Sequence, residues 1–260
     1  MEARSGVGIL EACCVEFMHY NRLRTSLDMA ANVVDDADFT LIYFPLLAKG
    51  FGPALVAEFS GLSWNGPKTL NWSPTEWKVL KPTTTFGQLP LLKTKEGIQI
   101  NQSTAVVNWI AKKAGEKLSG ANEKDWVISQ MLIAEGDELY AKLQQHQPTI
   151  YVELSRPDKF KGTPEQHSKW WSDWVVNHFQ FLERMLVDDN INFTSTGFTV
   201  GELMLFSYLH QMYLVMPLDM FANTPKLKKW YESMVTHETV KFVLSGNSNF
   251  GRLKQYFIKP

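Results

Sequence analysis

The chain has 260 residues, 45% of them hydrophobic and only 20% charged, which excludes a disordered acidic or basic tail protein and requires a sizeable buried core. Its 26 basic and 27 acidic residues leave a formal charge of −1, so no global field draws it to nucleic acid or to an anionic membrane surface. Its longest apolar runs, such as Met212 to Leu218, fall far short of the roughly 18 residues of a membrane-crossing helix.

Residues 1–38 read as an extension. Ile9, Leu10, Cys13, Cys14, Phe17 and Met18 have the spacing of a helix with one buried stripe, and Asp35, Asp36 and Asp38 end the unit. It is either a docking tail without chemistry or a helix for a protein partner. Cys13 and Cys14 are the only cysteines and are adjacent, so there is no disulfide framework and a reducing compartment is expected. The early Glu2, Glu11 and Glu16 do not suit a secretory signal or a mitochondrial presequence. The expected location is cytoplasmic, with a plastid address left open.

Phe39 to Phe44 is short, apolar and β-prone, a buried strand ended by Pro45. After a glycine-bearing loop, Pro53 suits the first turn of a helix that runs through Leu55, Val56 and Phe59 to Gly61. A second strand within 62–70 is interrupted by Gly66-Pro67, which confines it to a sheet edge because proline has no N–H to give a central ladder. A loop rich in Pro, Thr and Trp leads to a hairpin, Gln88 to Leu92 and Ile98 to Ile100, turning at Glu96-Gly97. The next helix carries Val106, Trp109 and Ile110 and ends near Gly115. The order β-α-β then β-β-α matches a thioredoxin-like unit. Beyond residue 120 only helical spacing remains, near 123–146, 164–188, 199–216 and 225–245, and Thr199 with Glu202 has the capping-box form, with Phe198 and Leu203 as a staple. The expected fold is α/β plus all-α: an extension over 1–38, a thioredoxin-like domain over 39–118 and an all-helical domain over 119–260.

The six histidines show no i, i+4 pair or cysteine spacing for zinc, so no metal site is expected. No G-x-S-x-G elbow occurs and both cysteines lie in the extension. The reacting nucleophile is therefore expected to come from a ligand.

Four segments in order carry a resemblance: Leu41-Ile42-Tyr43-Phe44, Glu76 to Pro82, Phe86-Gly87-Gln88-Leu89-Pro90, and Asn101-Gln102-Ser103 opening a helix. Together they resemble the cytosolic glutathione transferases, of the tyrosine type and nearest the sigma class, and the likeness extends from Phe39 to the end of the chain. It implies glutathione as co-substrate, a small apolar electrophile and a homodimer. The resemblance places Tyr43 as donor to the glutathione sulfur; by residue type alone it reads instead as a strand aromatic packed in the core. Leu89-Pro90 resembles the family's cis-proline step, whose backbone pairs with the cysteinyl part like an added strand. Gln102 and Ser103 fall where a strand gives way to a helix N-terminus, which suits the γ-glutamyl carboxylate, although Ser103 also reads as an ordinary N-cap. Trp77, Lys81 and Gln88 match positions that hold the glycyl end. Asp137 resembles an acid that reaches across the dimer to the γ-glutamyl ammonium, and is otherwise an exposed helix carboxylate. Leu46, Leu47, Phe51 and Tyr140 are candidates for the electrophile pocket or for plain core.

One segment departs from the pattern. Sigma-type members follow the tyrosine strand with Gly-Arg-Ala-Glu, whose arginine supports the thiolate, whereas this chain reads Lys49 to Ala54 as KGFGPA. Lys49 is the candidate for that positive charge, without the planar fork of a guanidinium. The altered loop and the extension motivate an alternative, a non-catalytic scaffold comparable to the lens crystallins related to the sigma class.

Overall fold

The computed structural model describes residues 36–70, 72, 74–150, 169–186, 191–216 and 219–258. The extension up to residue 35, with Cys13 and Cys14, lies outside the described residues, as do the ends of the helical stretch expected over 164–188.

Strand β1 (Phe39–Ile42) is buried at every position and occupies the middle of a four-stranded mixed sheet. It pairs in parallel with β2 (Trp64–Asn65) and antiparallel with β3 (Leu91–Thr94), which pairs antiparallel with β4 (Gln99–Asn101), giving the order β2-β1-β3-β4. A strand covered on both faces needs an unbroken apolar run, which FTLI nearly supplies. The two-residue β2 stops at the expected Gly66-Pro67 break and lies on the edge. Asp38 fastens the entry to the sheet: its N–H donates to the Ser63 carbonyl at 2.8 Å, and its Oδ2 accepts from the Ser63 N–H at 2.9 Å.

A 3₁₀ turn (Ala48–Gly50) runs into helix α1 (Phe51–Ser60), with Pro53 inside the first turn. The stretch read from sequence as loop before Gln88 contains helix α2 (Pro74–Leu80). Its proline start, its first-turn Glu76 and the packing of Trp77 and Leu80 on Ile42 and Leu91 account for the helix. Helix α3 (Ser103–Ala114) follows β4, and a single turn, α4 (Glu116–Ser119), leads out of the unit.

The second half is helical: α5 (Glu123–His146), α6 (Val176–Met185) entered through a π-type turn (Trp171–Val175), α7 (Val200–Tyr213), α8 (Pro225–Thr236) and α9 (Glu238–Leu244). The long helix expected over 225–245 is two, because His237 is extended and its Nδ1 caps α9 by accepting from the Thr239 N–H. Helix α7 is buried on all sides from Val200 to Leu209, and it packs against both α5 and α1. It crosses α5 at Gly201, where a Cβ would collide with the Ser129 carbonyl, and the Gly201 N–H donates to Ser129 Oγ at 2.7 Å. The capping box at Thr199 and Glu202 is present.

The chain ends in a strap. Lys254 bridges to the segment after β1, with its N–H on the Pro45 carbonyl and its C=O taking the Leu47 N–H. Tyr256 and Ile258 bridge to the end of α5 through Ile150 and Pro148.

Candidate functional site

Tyr43 is the first residue past β1 and is 8% exposed. Its ring lies against the following turn: Gly50 is required there, since a Cβ would collide with the ring. The Lys49 N–H donates to the Tyr43 hydroxyl oxygen at 3.2 Å. A cavity of about 360 Å³ opens beside it, lined by Tyr43, Phe44, Leu46, Trp77, Gly87, Gln88, Leu89 and Tyr256. This volume lies within the range of small-molecule sites.

Four of the residues singled out for glutathione, Tyr43, Trp77, Gln88 and Leu89, therefore line one cavity. The Leu89–Pro90 peptide bond is cis. The Gln88 carbonyl accepts from Asn101 Nδ2 at 2.8 Å and its Oε1 from Gln102 Nε2 at 3.1 Å, which ties the cavity wall to the β4–α3 junction. At that junction Gln102 has φ +70°, a conformation that costs a non-glycine residue about 1–3 kcal/mol, and Ser103 is buried as the first residue of α3. Lys81 is exposed and does not line the cavity, but its side chain runs beside Gly87, which does.

Of the four electrophile-pocket candidates, only Leu46 lines this cavity. Phe51 is fully buried, with its ring 6.1 Å from Phe206 and 5.7 Å from His210. Tyr140 is 1% exposed, with its ring 4.9 Å from Tyr208 and 5.6 Å from Phe257, and Leu47 belongs to the same core. The sequence reasoning missed Phe44, Gly87 and Tyr256. Tyr256 reaches the cavity through backbone bridges to segments far away in the chain, and no local pattern announces these.

Asp137, on α5, has three donors in its own chain. Its Oδ1 takes the Lys49 ammonium at 2.9 Å and the Tyr208 hydroxyl at 2.7 Å, and its Oδ2 takes the Thr104 hydroxyl at 3.1 Å. Burial first, then the Asp137 charge, pushes the Tyr208 phenol well above its ordinary value, so it remains a donor. The Lys49 ammonium also lies 5.4 Å over the Tyr140 ring. Its charge is thus spent on Asp137 and Tyr140, and what it presents to Tyr43 is its backbone N–H.

A four-stranded mixed sheet with a tyrosine just past its inner strand and a helical second half define a two-part, thioredoxin-based protein with a small-molecule-sized cleft beside that tyrosine. No family model matches the sequence. The chain is 31% identical to glutathione S-transferase 1 of Ascaris suum over 209 residues, 74% of this chain and 94% of that one. The fold matches a glutathione S-transferase from Ascaris lumbricoides with TM-score 0.64 at 21% identity, over 80% of this chain and 97% of that one. A sigma-class enzyme of Fasciola hepatica matches with TM-score 0.63 at 18% identity, over 81% and 97%. The chain belongs to the glutathione S-transferase family.

Proposed function

We propose that this protein is a glutathione transferase of the tyrosine type, nearest the sigma class, in which Tyr43 holds the co-substrate as thiolate. The observation that carries the reading is the convergence of Tyr43, Trp77, Gln88 and Leu89 on one cavity. The Lys49 N–H donates to the phenol oxygen, and in this reading the Tyr43 O–H donates to the sulfur. A hydrogen bond to a charged acceptor contributes about 1.5–3 kcal/mol, which at about 1.36 kcal/mol per unit lowers the thiol pKa by one to two units. The thiolate attacks an electrophilic carbon, forming the C–S bond as the leaving group takes the displaced electron pair, and the same thiolate serves isomerisation or peroxide reduction.

In this proposal the Leu89 backbone pairs with the cysteinyl unit, with Pro90 setting its direction. Gln102, Ser103 and the first N–H groups of α3 take the γ-glutamyl carboxylate, and Trp77, Lys81 and Gln88 take the glycyl end. Asp137 faces the γ-glutamyl ammonium of a partner subunit. Leu46 is the candidate for the electrophile, joined by Phe44 and Tyr256, while Leu47, Phe51 and Tyr140 support it from the core. The proposed division is an extension over 1–38, open to a protein partner, a glutathione-binding domain over 39–118 and a helical domain over 119–260. Homodimerisation belongs to the same proposal and accounts for the apolar side chains left exposed at Phe86, Val127 and Met131. Among the described residues no helix is long and apolar enough to cross a membrane, and the cytoplasm is the proposed location.

The test is the rate of glutathione conjugation to a generic aromatic chloride. Tyr43→Phe is expected to lower kcat/KM about 10- to 100-fold, the loss of a charged hydrogen bond. Retention on immobilised glutathione is expected to fall in Ser103→Ala. Equal rates in wild type and Tyr43→Phe would remove the catalytic role of Tyr43. Glutathione binding with no conjugation in either would favour the scaffold.

A further inference from the structure

The turn that presents an N–H to Tyr43 is held from the helical half of the molecule. Ala48 has φ +20° and its carbonyl accepts from Gln211 Nε2 of α7 at 3.0 Å. Gln211 is 1% exposed and is fixed in turn by a second bond, Nε2 to the Ser207 carbonyl at 3.1 Å. One residue further on, the Lys49 ammonium is tied to Asp137 of α5, which Tyr208 of α7 and Thr104 of α3 hold in place. Two consecutive residues of the turn are thus clamped, one through its carbonyl and one through its side chain, and the N–H directed at the phenol oxygen belongs to the second.

We propose that Gln211 and Lys49 are positioning residues for Tyr43: acting from α7 and α5 through the 48–50 turn, they hold the Lys49 N–H on the phenol oxygen and keep Tyr43 a strong, correctly aimed donor. The catalytic consequence rests on the reading of Tyr43 given above, whereas the positioning itself does not. An N–H on the phenol oxygen favours the developing phenolate and makes the O–H a better donor to an anionic sulfur. It also uses up the orientation in which the oxygen would otherwise accept from water. The backbone amide then performs, without a guanidinium, the support that the departed arginine would supply, and the ammonium works as an anchor instead of a field. Among the described residues, ionisable groups near the phenol include Tyr140 and Tyr208, which feel its charge, and Tyr256, which shares its cavity.

Two variants separate positioning from simple charge. Lys49→Met removes an anchor and a positive charge; Gln211→Met removes an anchor of similar length with no change of charge. In the ligand-free full-length protein with carbon-13 at tyrosine Cζ, assigned by Tyr43→Phe, the Tyr43 phenol is expected to titrate at higher pH in both variants by about half a unit or more. Lys49→Arg, which still reaches Asp137, is expected to restore the wild-type titration. The absorbance of the thiolate of bound glutathione is expected to show a parallel rise of the thiol pKa, with the glutathione KM changed less than kcat. A shift in Lys49→Met with none in Gln211→Met would overturn the proposal in favour of a plain charge effect, and no shift in either would overturn it outright. If Gln211→Met does not fold, an unchanged Tyr43 titration in Lys49→Met, or failure of Lys49→Arg to restore it, overturns the proposal. Because the phenol is read without ligand, a wild type that neither binds nor conjugates glutathione would defeat the functional reading and leave this result intact.

Discussion

His210 sits between Phe51 and Phe206, with its Nδ1 2.8 Å from the Tyr231 hydroxyl. Burial pushes its pKa down to about 4 from 6.5. Between those values the unfolded chain binds a proton that the folded chain refuses, so the His210 contribution is fully present above pH 6.5 and is lost as pH falls towards 4. At about 1.36 kcal/mol per unit the loss is bounded near 3 kcal/mol. His210→Gln removes the titration, and urea unfolding at pH 7.5 and at pH 4.5 is expected to show a smaller acid loss in the variant than in wild type. Glu202, whose pKa burial raises, acts in the opposite direction but equally in both proteins. Equal acid losses would show that His210 is protonated in the fold. Tyr43, Gln88 and Leu89 were singled out by the family resemblance and not by residue type alone, and they line one cavity. Phe51 and Tyr140 were not legible as core, because an apolar side chain on a helix looks the same whether it faces a ligand or the interior.

At the scale of elements, the element order, the edge position of β2 and the capped start of α7 were readable because they follow from local features: a nearly unbroken apolar run, a Gly-Pro break, and a threonine three residues before a glutamate. Helix α2 was obscured by its proline- and threonine-rich surroundings, although Pro74 marks its start. The terminal strap left no local signature at all, since Lys254 pairs with Pro45 and Leu47 across more than 200 positions of sequence. It carries Tyr256 into the wall of the cavity that Tyr43 also lines, on a backbone pinned on both sides. Tyr256→Ala removes the ring without releasing the strap, whose Phe257 remains seated on Tyr140. The KM for an aromatic electrophile is expected to rise about tenfold, the scale on which an apolar wall discriminates. The glutathione KM is expected to stay within about twofold, since the contacts proposed for Tyr43, Ser103 and Leu89 are untouched. A rise confined to the glutathione KM would place Tyr256 on the peptide side of the cleft instead.

For the molecule as a whole, the sequence implies two cores meeting at an interface, because strand signals stop near Gly115. The structure joins them: one hydrophobic cluster includes Phe39, Leu41 and Leu92 of the sheet, Phe51 and Leu55 of α1, and Phe206, Leu209 and Trp230 of the helices. Helix α7 makes this possible, since from Val200 to Leu209 it is buried on every side and α1 packs on it as α5 does. Polar contacts at Ala48 and Lys49 and the strap at Leu47 fasten the same seam. Separating the halves would expose Phe51 and Phe206 together, at about 25 cal/mol per Å² of apolar surface, so a state with one half folded is not expected to accumulate. Scanning calorimetry at fixed protein concentration is expected to give one transition with calorimetric and van't Hoff enthalpies in agreement, and Lys49→Met is expected to lower its midpoint without dividing it. Two resolved transitions, or a split appearing only in Lys49→Met, would mean that the seam is held by its ion pair instead of by the shared core.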